Sequence, residues 1–422
     1  MSDIRSRVEA QARLAKQASR QLARLTREQK DAALIAIGKQ LDQDRAEILA
    51  ANERDVQHSR AANPLESYID RLRLDDKRID GLITSLEELA AQQDPVGETI
   101  TAWTRPNGLE IEQVRVPLGV IGMVYEARPN VTLDSAAIAL KTGNAIVLRG
   151  SRTALNSNLA IVASIHRALQ SLGLPSDAVQ YLAIVEHESV DALCTLNGLI
   201  DVIIPRGGAE LIKRVVSTST VPVLETGVGN CHIFVDESAE YEMADAIVIN
   251  AKTSRPAVCN AAETLLLHKN WPLEDQQKLL SHLHAAGVEL RACEQTRSLH
   301  PELASILQVA DETDFDGEFL DLIMAVRTVS SLDEALEHIA LHGTYHSEAI
   351  VTTDAAHAAR FLSEVDAAAV YHNASTRFTD GGEFGFGAEI GISTQKLHAR
   401  GPMGLVALTT SKYVIRGTGQ IR

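Results

Sequence analysis

Apolar residues in the first hundred positions recur at helical spacing. Val8, Ala12, Ala15, Leu22 and Leu25 fall on one stripe, as an amphipathic helix requires. Thr26-Arg-Glu-Gln29 and Asp44-Arg-Ala-Glu47 both have the form of a capping box, in which side chains satisfy the free N–H groups of a first helical turn. A further helix is expected from Asp75 to Ala91. This charged, alanine-rich opening reads as a solvated packing layer. The period then changes. Over residues 99–115, alternating apolar and polar positions flank Asn107-Gly108, a strong two-residue hairpin signal because both central positions of such a turn need positive φ. A hairpin rising from between helices has a long exposed edge that needs a partner. Segment 99–115 is therefore expected to be an oligomerisation arm, and the chain a homo-oligomer.

From Pro117 onward, short apolar runs alternate with helical stretches. Val120–Tyr125, Ala145–Leu148, Val179–Ala183 and Asp201–Ile204 read as strands, with helices ending near Leu140, spanning Leu155 to Leu169, and lying near Val190. A second series runs through Cys231–Val235, Thr264–Leu267, Leu322–Val326 and Ala349–Val351. Strand and helix alternating at this spacing predict parallel, doubly wound sheets. The fold class expected is α/β, with two doubly wound parallel-sheet domains plus a β-hairpin and C-terminal element. The expected division is 1–230 for the helices and cofactor domain, 231–365 for a second α/β domain, and 366–422 for a segment returning to the first. Within it, Gly404–Arg416 reads as strand that completes a sheet with the hairpin.

Composition narrows the class. The 422 residues are 45% hydrophobic and only 4% aromatic, so the cores rest on Ala, Val, Ile and Leu. A net charge of −16 argues against nonspecific binding to nucleic acid or to an anionic membrane. The start Met1-Ser2-Asp3-Ile4-Arg5 lacks an apolar signal core, and no apolar run is long enough to span a bilayer. The four cysteines, Cys194, Cys231, Cys259 and Cys293, form no C-x-x-C pattern, so neither a metal site nor a disulfide framework is expected. A soluble, cytoplasmic protein is the expectation.

Chemistry concentrates at a few chain bends. In Asn250-Ala-Lys-Thr-Ser-Arg-Pro-Ala-Val-Cys259-Asn-Ala, Pro256 ends the preceding helix because it lacks an N–H and its ring clashes with the previous turn. Cys259 is then presented among small residues, as an exposed thiol nucleophile would be; Cys194, Cys231 and Cys293 read as core. Ligands of open parallel sheets bind beyond the carboxyl ends of strands. Arg149-Gly150-Ser151-Arg152 stands at one such end. Gly207-Gly208 opens a helix at another, where backbone N–H groups face any anion. Two arginines and no acid after Leu148 favour the 2′-phosphate of NADPH over NADH. The G-x-G-x-x-G fingerprint is missing, so an ordinary dehydrogenase Rossmann domain is excluded.

These pieces in this order resemble the aldehyde dehydrogenase superfamily and, within it, the γ-glutamyl phosphate reductase (glutamate-5-semialdehyde dehydrogenase) family. The matching segments are Val116 to Thr132, Leu140 to Ser151, Glu225-Thr-Gly-Val-Gly-Asn-Cys-His232, Arg255-Pro-Ala-Val-Cys-Asn260 and the long block Gly382 to Met403. The resemblance implies NADPH-dependent reduction of L-glutamyl 5-phosphate to L-glutamate 5-semialdehyde and phosphate, through a cysteine thioester, in proline biosynthesis. It makes Cys259 the nucleophile and Asn130 the oxyanion donor beside the Cys259 backbone N–H. It brings Arg149 to the adenosine ribose and Glu318 to the nicotinamide ribose. Ser151, Arg152, Gly207 and Gly208 complete the cofactor set. Glu225 matches the hydrolytic base of other members, but Glu-Thr-Gly-Val-Gly replaces their Glu-Leu-Gly-Gly-Lys. Its role stays open between a structural one and deprotonation of the thiol. An anionic substrate needs cations near Cys259, for which Arg128, Arg255, Lys252, His398 and Arg400 are candidates, with Arg255 favoured. The resemblance also raises contact with glutamate 5-kinase, which would supply the labile acyl phosphate. Two other readings remain: oxidation of an aldehyde to a free acid, and a catalytically silent scaffold. Neither nucleic acid nor membrane is expected as a partner.

Overall fold

The computed structural model describes residues 2–62 and 66–422. It divides into two compact units, one of Met1–Thr226, Gly385–Gly391 and Met403–Arg422, the other of Gly227–Phe384 and Ile392–Pro402. The break thus falls between Thr226 and Gly227, ahead of the boundary expected after residue 230. Residues 366–384 and 392–402, expected to return to the first unit, stay with the second.

The first unit opens with helices Ser2–Leu22, Arg27–Gln43, Arg45–Ala62, Glu66–Leu72 and Asp76–Ala91. Val8, Ala12, Ala15 and Leu22 are all buried, as the stripe predicts. Thr26 forms the capping box with Gln29, and Asp75 caps the last of these helices by accepting from the Arg78 N–H at 2.8 Å; each cap contributes about 1 kcal/mol. Asp44 does not form the expected box. It closes the second helix as its C-cap, and its carboxylate accepts from Ser164 Oγ at 2.7 Å and Arg167 Nε at 3.0 Å. The stronger donors of a neighbouring helix win over a local N–H.

Four parallel strands form the sheet of this unit, in the order Val179–Tyr181, Ala145–Arg149, Val120–Tyr125, Val202–Arg206. The two central strands are buried at every position, which is why they read as continuous apolar runs. Helices Pro129–Lys141 and Leu155–Ser171 connect successive strands. A second, antiparallel sheet holds Thr99–Thr104, Glu110–Pro117 and Thr409–Arg416. The C-terminal strand pairs with the hairpin from Thr409↔Pro117 to Arg416↔Glu110. The hairpin is present, but only Gly108 takes positive φ, at 83°. The Arg105 N–H reaches the Leu109 carbonyl at 2.8 Å and the Gly108 N–H the Arg105 carbonyl at 2.9 Å. The connection is therefore a longer loop with one left-handed residue, not the two-residue turn. The edge strand Thr99–Thr104 is exposed at all positions.

The second unit is built on a seven-stranded parallel sheet, ordered Leu307–Val309, Glu289–Ala292, Ile323–Val329, Ala262–His268, Cys231–Val235, Ser347–Val351, Ala369–His372. Periodicity located the central four. The remaining three are short and carry Glu289, Arg291, Gln308 and His372, too polar to read as buried strands. One core packs helices Tyr241–Thr253 and Leu273–Ala285 with Trp271 against the sheet; a second holds Phe234, Ile350 and Phe361. Among the described residues, no helix is long and apolar enough to cross a membrane.

Candidate active site

The thiol loop lies in the second unit, between helix Tyr241–Thr253 and strand Ala262–His268. The helix stops just before Pro256, as its missing N–H requires, and Cys259 is half-buried. Three contacts fix the loop. First, Gly229 packs on it so closely that a Cβ there would lie 1.5 Å from the Cys259 carbonyl oxygen. Second, the buried Cys231 thiol donates to that same carbonyl at 3.2 Å. Burial pushes the Cys231 pKa well above the ordinary thiol range, so this thiol keeps its proton and stays a donor. Third, Asn260 Nδ2 donates to the Thr379 carbonyl at 2.9 Å and the Arg377 carbonyl at 3.3 Å, while the Arg377 guanidinium donates back to Asn260 Oδ1. A side chain carried on a loop held this way has little conformational freedom left to lose.

Glu318 reaches the same region. Its carboxylate accepts from the Gly229 N–H at 2.9 Å. The ends of the loop are joined by Lys252 and Glu263, 2.5 Å apart and without solvent exposure on either side chain. Lys252 was a candidate for gripping substrate; its commitment to Glu263 and its burial remove it. Arg400 is likewise paired, with Asp366 at 2.8 Å. Arg255 is exposed at the start of the loop. His398 is exposed in the segment after strand Ile392–Ser393, with φ of 73°.

The first unit carries the remaining candidates at the carboxyl ends of its strands. Pro129 takes the first turn of helix Pro129–Lys141, with Arg128 as its N-cap. At the second helical position, Asn130 Nδ2 donates to Asp134 Oδ2 at 3.1 Å. An ionised carboxylate only accepts, so Asp134 fixes which way the Asn130 amide faces and leaves its second N–H for another acceptor. Burial raises the Asp134 pKa to about 6, against the opposing hydrogen bond from Asn130 and the charge of Arg206. Glu225 is half-buried, one residue before the last of the first unit's opening segment, Met1–Thr226.

Arg149 donates to the carbonyls of Val185 at 2.9 Å, Glu186 at 3.3 Å and Gly150 at 3.2 Å, and to Ser189 Oγ at 3.3 Å. Most of its N–H groups are thereby spent on the protein. Ser151 caps the short turn Arg152–Ala154 through the Thr153 N–H, and Arg152 stands exposed. Gly150 has a packing reason: a Cβ there would lie 2.5 Å from Asn158 Nδ2, in a buried network joining Tyr125, Thr132, Asn158 and Tyr181. Gly208 begins helix Ala209–Thr218 without a side-chain cap, but its N–H donates to Glu126 at 2.8 Å. A Cβ on Gly207 would sit 2.6 Å from the Glu126 carboxyl carbon. An exposed arginine and a helix start without a side-chain cap are groups that can hold an anion, and the exposed Glu126 carboxylate occupies the Gly208 N–H and the space beside Gly207.

Sequence reasoning missed Arg377, Asp134, Gly229, Cys231 and Glu126. For Asp134 the signal was available, since a residue four positions after Asn130 on a helix shares its face. Gly229 and Cys231 lie in the family-matching segment Glu225–His232, and Cys231 is buried as expected, but their contact with the Cys259 carbonyl, like that of Arg377 with Asn260, spans a separation that no local pattern shows. Among the described residues, no group of three or more His, Cys, Asp or Glu is arranged to hold a metal.

The chain belongs to the aldehyde dehydrogenase family, whose model matches residues 3–292. Its overall form is shared with an acetylating aldehyde dehydrogenase of Geobacillus thermoglucosidasius, at a TM-score of 0.70 and 17% identity over 100% of this chain and 98% of that one. Much nearer is a gamma-glutamyl phosphate reductase of Caldanaerobacter subterraneus, 55% identical over 98% of this chain and 99% of the relative. One from Bacillus cereus is 53% identical over the same shares. The crystal structure of gamma-glutamyl phosphate reductase from Thermotoga maritima superposes with a TM-score of 0.95 at 49% identity, covering 98% of this chain and 99% of that one. Within the family, these relatives set the chain among the gamma-glutamyl phosphate reductases.

Proposed function

We propose that the chain reduces L-glutamyl 5-phosphate to L-glutamate 5-semialdehyde and phosphate with NADPH, through a thioester on Cys259. The observation that carries this reading is the braced thiol loop, with the Cys259 carbonyl pinned between Gly229 and Cys231, in a chain 55% identical to a gamma-glutamyl phosphate reductase. Cys259 Sγ, as thiolate, attacks the acyl carbon. The Cys259 N–H and the Asn130 side chain, the latter oriented by Asp134, donate to the oxyanion; each such donor lowers the barrier by about 3 kcal/mol. The C–O bond to phosphate breaks, leaving the thioester. A bound nicotinamide cofactor supplies the hydride for reduction. Collapse of the thiohemiacetal then frees the aldehyde and returns the thiolate. Covalent capture lets phosphate leave before the dinucleotide's chemistry is required.

Arg152, Ser151, Gly207, Gly208, Arg149 and Glu318 form the proposed dinucleotide set, and Arg255, Arg128 and His398 the cations offered to substrate. The exposed edge strand Thr99–Thr104 supports assembly of the chain into a homo-oligomer. A biosynthetic NADPH-dependent reductase would work in the cytoplasm, and its labile substrate favours contact with the kinase that makes it. The decisive test runs the reaction backwards with glutamate 5-semialdehyde, comparing NADP⁺ with NAD⁺ and phosphate with none. Turnover should require phosphate and prefer NADP⁺, and Cys259→Ser should abolish it. Phosphate-independent oxidation to glutamate would replace this reading with hydrolytic aldehyde oxidation.

A further inference from the structure

We propose that Arg377, with Arg255, binds the phosphoryl group of the substrate and the phosphate it departs as. This deepens the reading of Cys259 as nucleophile toward an acyl phosphate and rests on it. Arg377 lies on the short turn Thr376–Phe378, whose N-cap Ser375 accepts from the Arg377 N–H at 3.3 Å. From there its guanidinium spans the thiol loop. Nε donates to Ser254 Oγ at 3.1 Å, on the residue after the helix, and Nη1 donates to Asn260 Oδ1, directly after Cys259. These two bonds use two of the five N–H groups of a rigid planar fork and hold it to the loop that carries Cys259.

The charges around it call for an anion. Arg255, exposed on the same loop, is close enough that its charge, after burial, holds Arg377 below the ordinary arginine range. The groups that act on Arg377 in the opposite sense are the Asp380 carboxylate and, when ionised, the Cys259 and Cys231 thiols. Asp380 turns toward the glycine-rich bend, accepting from the Gly382 N–H at 2.8 Å and the Glu383 N–H at 3.4 Å. Cys231 stays a neutral thiol, as its burial dictates. Among the described residues, neither guanidinium of the thiol loop region forms an ion pair with a carboxylate, and a phosphoryl group offers the oxygens for bidentate hydrogen bonds. The step balances: as Cys259 Sγ bonds to carbon, the C–O bond breaks and its electrons leave on a phosphate oxygen. The negative charge that grows there faces the arginines.

The test uses the full chain in the reverse, phosphate-dependent assay, with inorganic phosphate as the probe. Arg377→Gln should raise the KM for phosphate about 10- to 100-fold, the scale of losing charged hydrogen bonds, with the aldehyde KM within about twofold. Arg255→Gln should raise it by less, and Arg377→Lys, which keeps charge without the fork, should fall between wild type and Arg377→Gln. Separately, inorganic phosphate alone should slow alkylation of Cys259 by iodoacetamide in wild type but not in Arg377→Gln. A variant whose kcat falls while its phosphate KM and phosphate protection stay at wild-type values would overturn the assignment and leave Arg377 as a brace of the loop. Wild-type turnover indifferent to phosphate would instead sink the reaction proposed for Cys259. Phosphate protection lost in Arg377→Gln would still uphold the anion site in that case.

Discussion

Replacing Lys252 by methionine strands the Glu263 carboxylate in a place without solvent. Both side chains of the pair are fully buried, with Nζ 2.5 Å from Oε2. Glu263 keeps one further donor, the Leu320 N–H at 3.2 Å. Burial already raises the Glu263 pKa and lowers that of Lys252, and each restrains the shift of the other. Removing one partner of a buried pair costs about 3–5 kcal/mol, whereas replacing both by apolar residues of similar volume is near neutral or stabilising. Lys252→Met and Glu263→Leu should therefore each destabilise by that amount, and the double variant should recover most of it. The coupling in the cycle should be at least ~3 kcal/mol, beyond the error of additive sites. Urea unfolding of the four proteins at one pH measures it. The pair also joins the end of helix Tyr241–Thr253 to the start of strand Ala262–His268, the two anchors of the thiol loop. The single variants should lose activity more than fold, because a displacement of ~1 Å at the reacting groups costs about 100-fold. Single-variant losses under ~1 kcal/mol, or a coupling near zero, would refute the argument that burial makes this pair interdependent.

Two further substitutions test the site. Asp134 has its pKa raised from 3.8 to about 6 by burial. Its protonated form is the one folding favours, so its contribution to stability is complete below pH ~4 and is lost as pH rises through about 6. At pH 8 the ionised group costs about 3 kcal/mol, and Asp134→Asn should be more stable than wild type there, with the gap closing by pH 4; a gap that does not change with pH would contradict the cause given. The same substitution should lower kcat, because an amide at 134 no longer dictates which way Asn130 faces. Gly229→Ala places a Cβ 1.5 Å from the Cys259 carbonyl oxygen, so the loop must withdraw by ~2 Å and kcat should drop at least ~100-fold. An alanine variant with wild-type kcat would show that this packing is not what positions the thiol.

Local pattern carried most of the architecture. The helical stripe at Val8, Ala12 and Ala15, the Thr26 cap, the continuous runs Val120–Tyr125 and Ala145–Leu148, and the thiol after Pro256 follow from sterics, period and desolvation acting within a few residues. The two-residue turn at Asn107-Gly108 and the box at Asp44 went astray because more distant partners competed: a longer loop with one left-handed glycine, and the Ser164 and Arg167 donors of another helix. Short outer strands such as Glu289–Ala292 escaped because their neighbours, and not their own composition, bury them.

What the amino-acid order determined by itself was therefore the kind of protein: alternating strands and helices, a thiol at a helix end, and glycines at strand ends. Only the folded chain decided that Lys252 is spent on Glu263 and that Arg377, Cys231 and Gly229 converge on Cys259. Hydrogen bonds and ion pairs act over a few ångströms in space. Cys231 and Cys259, 28 positions apart, and Arg377 and Asn260, 117 apart, come under them only after the sheet is wound.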